Sequence, residues 1–119
     1  MVNLDTHVLV FALAGELKPR EQKILASNPW GISSIVLWEI AKLSQRGRIG
    51  VDLEDNELSR ILSRIHVWDL SPAVAMASCR LDFRGDPADE IIAATSIVHK
   101  VPLLTRDKRI HKSRLTPLA

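Results

Sequence analysis

The 119-residue sequence predicts an α/β fold built on a parallel sheet. Three observations carry the prediction. Short apolar runs alternate with longer stretches of helical periodicity. Most of those stretches open on a Ser, Asp or Pro start signal. Two of the apolar runs are followed at once or within two residues by an aspartate, at the carboxyl ends of strands where ligands bind in an open parallel sheet.

The first strand is expected at Val2–Leu4, ending at Asp5. A helix from Thr6 to Leu13 follows and closes at Gly15. Pro19 suits the first position of a second helix running to Ala26, and Asn28-Pro29 makes a turn before a second strand, Trp30–Ser33. A strongly patterned helix spans Ile35–Arg46, with Ser33 or Ser34 as cap and Gly47 as stop. Asp52 is expected to cap a helix over Leu53–Ile65. Val67–Leu70 reads as a strand, and Ser71-Pro72 opens a helix to Arg80 with cap and proline in order. Residues 82–85 form a loop, and Asp86-Pro87 opens a helix to His99. Val101–Thr105 is the last strand, followed by a short helix around Asp107–His111. No repeat, linker or low-complexity segment interrupts the series, so residues 1–119 are expected to form a single domain.

Composition restricts the class. At 46% hydrophobic and 25% charged residues the chain has an ordinary globular balance. No apolar stretch approaches the length of a membrane span. The opening Met-Val-Asn-Leu-Asp lacks the basic and apolar regions of a signal peptide. A lone cysteine, Cys79, forms no internal disulfide and reads as a small hydrophobe on a helix; it fits a reducing compartment, and the cytoplasm is the expected location. The net charge of +2 conceals a strong asymmetry. Segment 106–114 holds five Lys or Arg against Asp107 alone, which is +4 and leaves −2 for the rest of the chain. Such a cluster reads either as a solvated face or as a phosphate-contacting patch.

Four acids stand out because each ends an apolar run or sits on an apolar face: Asp5, Glu39, Asp89 and Asp107. Glu39 lies one turn after Ile35 and one before Leu43, inside the apolar arc that Val36 and Ile40 continue. A glutamate there is costly unless it snorkels, pairs with Lys42 or Arg46, or binds a cation. Asp89 opens a helix that is apolar nearly all round, from Ile91 to Val98, with Asp86 as its natural cap. Asp5 and Asp107 each follow a strand and suit helix capping when taken singly. Taken together, all four face one edge of the predicted sheet, flanked by the hydroxyls of Thr6 and Thr105. Two carboxylates about 4 Å apart repel by roughly 4 kcal/mol at an effective dielectric near 20, so a converged cluster requires a cation. An all-oxygen donor set points to Mg²⁺ or Mn²⁺. His7, His66, His99 and His111 lack zinc-ligand spacing, and no phosphate-loop, dinucleotide-binding or nucleophile-elbow motif is present.

Four segments in order, LDTHVLVFAL, SSIVLWEIAKL, DPADEIIAATS and LLTRDKRI, resemble those of PIN-domain ribonucleases, and most closely VapC-type toxins of bacterial toxin–antitoxin pairs. The resemblance spans the chain. It implies a three-layer α/β/α fold with a central parallel sheet flanked by helices. It also implies Mg²⁺-dependent hydrolysis of RNA phosphodiester bonds, leaving 5′-phosphate and 3′-hydroxyl ends. Asp5, Glu39, Asp89 and Asp107 match the family's catalytic metal-binding acids, with Asp86 part of the same DPAD motif and Thr6 and Thr105 supporting. Arg106, Lys108, Arg109 and Lys112 become candidate RNA-phosphate contacts. A homodimer and a cognate antitoxin protein are implied as partners.

Trp38 lies opposite the apolar arc of its helix and is expected to pack against another part of the fold, or else to belong to a dimer or antitoxin surface. Two rival readings share the general pattern. A phosphoacceptor receiver-like Mg²⁺-binding domain needs paired acids after its first strand and a strand-end lysine. Here Asp5 has no acidic neighbour and Thr105 is followed by Arg106. A non-catalytic interaction module of the same fold needs no acids at all, and all four are intact.

Overall fold

A computed structural model describes residues 1–119. Its four strands are β1 (Val2–Leu4), β2 (Trp30–Ser33), β3 (His66–Trp68) and β4 (Leu103–Leu104). They form one sheet in the order β3-β2-β1-β4, every pair parallel. The helices are α1 (Thr6–Ala14), α2 (Pro19–Ser27), α3 (Ser34–Gln45), α4 (Asn56–Leu62), α5 (Pro72–Ser78), α6 (Pro87–His99) and α7 (Lys108–His111). They flank the sheet as a three-layer α/β/α fold. None is long and apolar enough to cross a membrane.

Strong local signals place most elements as expected. Asp5, Ser33 and Ser71 cap α1, α3 and α5, and Gly15 and Gly47 take the positive φ that ends α1 and the turn after α3. Three elements differ in extent. Asp55, not Asp52, caps α4, accepting from Glu57 N at 2.8 Å, whereas Asp52 caps only a turn at Glu54. That helix is therefore shorter than the 53–65 span. β3 stops at Trp68, because Ser71 N bonds Asp69 O at 2.9 Å in a turn. β4 contracts to two residues, since Val101 N closes α6 onto Ser96 O and Pro102 has no N–H to give. The chain after α7 returns along β4, with Leu103 N on Pro117 O at 2.8 Å and Ala119 N on Leu103 O at 3.0 Å.

The core is one cluster centred on Leu4, Val8, Leu9, Ile32, Val36, Ile40 and Ile92, all fully buried. Within it Asn3 crosses the layers: its Nδ2 donates to Ile92 O (3.2 Å) and Ser96 Oγ (2.9 Å), fastening β1 to α6. The bond holds the carboxyl end of β1 and the start of α6 in fixed relation. Trp68 stacks on His99 at 5.6 Å and meets His66 edge-on at 4.9 Å. Two side chains lie outside rather than in. Trp38 is 55% exposed instead of packed against the fold, lining a groove with Ile35, Leu70, Pro87 and Ala88. Cys79, read as a small hydrophobe on a helix, is an exposed free thiol at the C-cap of α5.

Candidate metal centre

Three of the four acids converge at the carboxyl edge of the sheet. Asp5 follows β1, Glu39 projects from the second turn of α3, and Asp89 from the first turn of α6. One carboxylate oxygen from each lies within 4.8 Å of the others. Parallel pairing of β1 with β2 brings Asp5 beside the start of α3, and the Asn3 clamp brings it beside α6.

Two of the three carboxylates are held by hydrogen-bond donors. Asp5 is 6% exposed; its Oδ1 accepts from Thr6 N at 2.7 Å and its Oδ2 from Thr105 Oγ1 at 2.6 Å. Glu39 accepts a short hydrogen bond from Thr6 Oγ1 and makes no ion pair with Lys42 or Arg46. The salt-bridge alternative for Glu39 is thus absent, and Thr6 and Thr105 each donate a hydroxyl hydrogen bond to one of these carboxylates. Asp89 has no backbone partner. Its capping-box role fails, and so does that of Asp86, which occupies the N-cap position of α6 but accepts no capping hydrogen bond. The exposed Asp86 instead adds negative charge near Glu39 and Asp89.

Asp107 stands at the margin of this trio. Its Oδ1 caps α7, accepting from Arg109 N (2.8 Å) and Ile110 N (3.3 Å). Its Oδ2 lies 3.4 Å from Arg109 Nη2, and that same nitrogen lies 3.5 Å from Asp89 Oδ2. Arg109 therefore bridges the two acids instead of projecting free toward solvent. The remaining basic candidates split. Arg106 pairs bidentately with Glu21, at 2.8 and 2.7 Å, and lies 3.9 Å above the Phe11 ring, so its guanidinium is committed within the protein. Lys108 and Lys112 are exposed and form no ion pair.

The electrostatics follow from this placement. Burial raises the Asp5 and Glu39 carboxyls above their ordinary range. Asp89 is pushed up to about 6, by burial first and then by the charges of Asp5, Glu39, Asp107 and Asp86. For Asp107 burial also raises, but the N–H groups of Arg109 and Ile110 outweigh it and hold the carboxyl low. Three crowded carboxylates with raised proton affinity and oxygen-only donors fit a hard divalent cation.

The sequence matches the PIN-domain family over residues 2–114. The chain is a PIN-domain protein. It is homologous to VapC-family toxins: it is 29% identical to Ribonuclease VapC22 of Mycobacterium tuberculosis over 95% of this chain and 92% of that one. Among solved structures, VapBC2 from Rickettsia felis bound to a promoter DNA fragment superposes with a TM-score of 0.74 at 22% identity, covering 100% of this chain and 98% of that one. DNA-bound VapBC from Salmonella typhimurium gives 0.73 at 19% identity over 99% and 96%. A toxin–antitoxin complex from Klebsiella pneumoniae gives 0.70 at 19% over 94% and 91%. These likenesses establish the fold.

Two groups near the PIN-domain centre escaped the sequence reading. His7, one residue beyond Thr6, lies near both Asp5 and Glu39, and its place beside the Asp5-Thr6 pair was the available sign. Glu21, 5% exposed and paired with Arg106, carried none, because its partner lies 85 residues away.

Proposed function

We propose that this PIN-domain protein is a Mg²⁺-dependent endoribonuclease acting as the toxin of a toxin–antitoxin pair. The observation that carries the reading is the convergence of Asp5, Glu39 and Asp89 within 4.8 Å with no ion pair to Asp5 or Glu39. Asp5, Glu39 and Asp89 would hold the cation, and Asp107, through the Oδ2 that Arg109 contacts at 3.4 Å, would complete the site from its margin. Held there by Asp5, Glu39 and Asp89, a divalent ion would supply Lewis-acid polarisation of the scissile phosphate and activation of water. The protein's part is positional. Thr6 fixes Glu39, Thr105 fixes Asp5, and the capping bonds of Asp5 and Asp107 set the direction of both carboxylates. Water attacks phosphorus, the 3′-oxygen leaves and takes a proton, and 5′-phosphate and 3′-hydroxyl ends result.

The partners follow from the same reading. Relatives of this fold are described as toxin–antitoxin complexes, which supports a cognate antitoxin. Exposed Trp38 and Leu70, with Ile35, Pro87 and Ala88, support an apolar self-association face and hence a homodimer. RNA as substrate places the protein in the cytoplasm. A receiver-like phosphoacceptor is disfavoured: Asp5 has no acidic neighbour in sequence, and Arg106, where the strand-end cation would stand, is spent on Glu21.

The test is cleavage of RNA by purified protein with Mg²⁺ and with chelator, alongside Asp5→Ala. Cleavage is expected only for the wild-type protein with metal. Activity that survives both the chelator and the substitution would sink the mechanism.

A further inference from the structure

Beside the acid cluster runs a second, oppositely charged feature. Lys18 and Arg20, at the start of α2, and Lys108 and Lys112, in and after α7, line a groove of about 520 Å³ that no hydrophobic residue lines. These cations are brought together from segments almost ninety residues apart. The structure accounts for their juxtaposition. Arg106 anchors the segment before α7 to Glu21 in α2 by two hydrogen bonds, and donates to Glu16 O at 3.3 Å. That ion pair is internally neutral. Arg20 donates to Ala119 O at 2.7 Å, whereas Lys18, Lys108 and Lys112 have no acidic partner. Three unpaired ammonium groups therefore share one groove, held by a neutral brace.

The groove adjoins the metal centre at a single residue. Thr105 lines it, and Thr105 Oγ1 donates to Asp5 Oδ2 at 2.6 Å. A ligand that occupies both features must present negative charge to the lysines and a further anionic group to a cation held by the acids. A polyanion with regularly repeated phosphates does this. An acidic peptide is a poorer match, because peptide docking draws on apolar anchors and none lines the groove.

We infer that the Lys18–Lys108–Lys112 groove is the phosphate track that guides a single RNA strand into the metal centre, with Arg106 as its brace rather than a contact. The inference rests on the ribonuclease reading and extends it. It removes Arg106 and Arg109 from the substrate contacts, since Glu21 holds one and Asp89 and Asp107 hold the other. It adds Lys18, a residue distant in sequence from the basic 106–114 segment. Electrostatic attachment to single strands weakens with salt by a slope of about 0.7 per phosphate contacted. Three contacts give a slope of about 2, or about 20-fold of affinity between 50 and 200 mM salt.

The experiment is an anisotropy titration with a short fluorescein-labelled oligouridylate, in Ca²⁺ buffer, which offers the acids a hard cation while a gel confirms that the probe stays intact. The wild-type protein is compared with Lys18→Ala/Lys108→Ala/Lys112→Ala. A charge-matched control, Lys23→Ala/Arg60→Ala/Arg80→Ala, alters exposed cations outside the groove. The groove variant should lose about 2 from the salt slope and bind more weakly at low salt, while the control keeps the wild-type slope. An unchanged slope in the groove variant, or an equal loss in the control, overturns the track. Lysine dependence seen with polyglutamate and not with RNA would assign the groove to an acidic protein and also overturn it. Cleavage in Mg²⁺ is scored separately. Wild-type protein that binds RNA through the lysines but never cleaves it refutes the ribonuclease reading and leaves the groove a nucleic-acid site. Cleavage by wild-type protein with undiminished binding by the groove variant refutes only the groove.

Discussion

Glu39 provides the sharpest test of whether the acid cluster is a metal site or a structural device. Glu39→Gln keeps the shape of the side chain and the oxygen that accepts from Thr6, and deletes only the charge. The carboxylate oxygens of Asp5, Glu39 and Asp89 lie within 4.8 Å of one another. At that separation each pair repels by about 3.5 kcal/mol at an effective dielectric near 20, so two lost pairs set a ceiling of about 7 kcal/mol. Much of that is already relieved in the metal-free protein, because burial and mutual repulsion raise the proton affinity of all three groups. Loss of charge assistance in the Thr6 hydrogen bond offsets about 1 kcal/mol more. A net gain of about 1–2 kcal/mol remains, which for a chain of this size is a rise of about 4–8 °C in Tm. The measurement is thermal unfolding in EDTA and then in excess Mg²⁺. Wild-type protein should gain about 2.7 kcal/mol at a hundredfold excess over its Kd, and Glu39→Gln should lose most of that gain. A Tm that drops in EDTA, or a Mg²⁺ response as large as wild type, would refute the reasoning and make Glu39 a structural acceptor for Thr6.

Asp89 yields a pH dependence: its folded pKa of about 6 exceeds the ordinary 3.8, so its contribution is fully present below 3.8 and is lost as pH rises through 6. In EDTA, stability should fall by about 2 kcal/mol between pH 4.5 and 7, and excess Mg²⁺ should abolish the fall; a flat metal-free profile contradicts the cluster. Arg109→Ala removes a cation 3.5 Å from Asp89 and 3.4 Å from Asp107, so calorimetric titration should show severalfold tighter Mg²⁺ binding, at a cost below about 1 kcal/mol in Tm measurements. Weaker Mg²⁺ binding would instead make Arg109 an organiser of the site. Gly31→Ala would place a Cβ 2.5 Å from Trp68 Cζ3, forcing the indole off its stack on His99; urea unfolding should show a loss of about 1–3 kcal/mol.

How much of this was legible in the sequence depends on how local each cause is. The starts of α1, α3, α5 and α6 were readable, because a cap or a proline beside a periodic run is a local event. The cap of α4 was not, since Asp52 and Asp55 offer the same chemistry three residues apart and tertiary packing chooses between them. β4 looked longer because Val101 is apolar, yet its N–H is taken by the end of α6. Trp38 was misplaced for a related reason: periodicity identifies a helix face but not whether another element covers it. Glu39 was conspicuous because a charge within an apolar arc violates a pattern that spans one helix. The Arg106–Glu21 pair violates none, and only the completed fold brings its members together.

The choice between cap and ligand, which the sequence presents for Asp5 and Asp107, is not exclusive. A capping bond uses one lone pair on one oxygen, and a carboxylate has about four acceptor positions. Asp107 caps α7 through Oδ1 and leaves Oδ2 turned toward Asp89 and Arg109. Asp5 engages Thr6 N and Thr105 Oγ1 through different oxygens, which fixes the plane of the group while lone pairs remain. Capping thus contributes to the site by removing rotamer freedom that cation binding would otherwise have to remove. Asp89 has no such bond, and its basic partner is the Arg109 side chain, 55% exposed. Rigid acids on β-strand ends and one acid with only a displaceable partner make a pocket that is held open against repulsion and retains a position for a cation to complete.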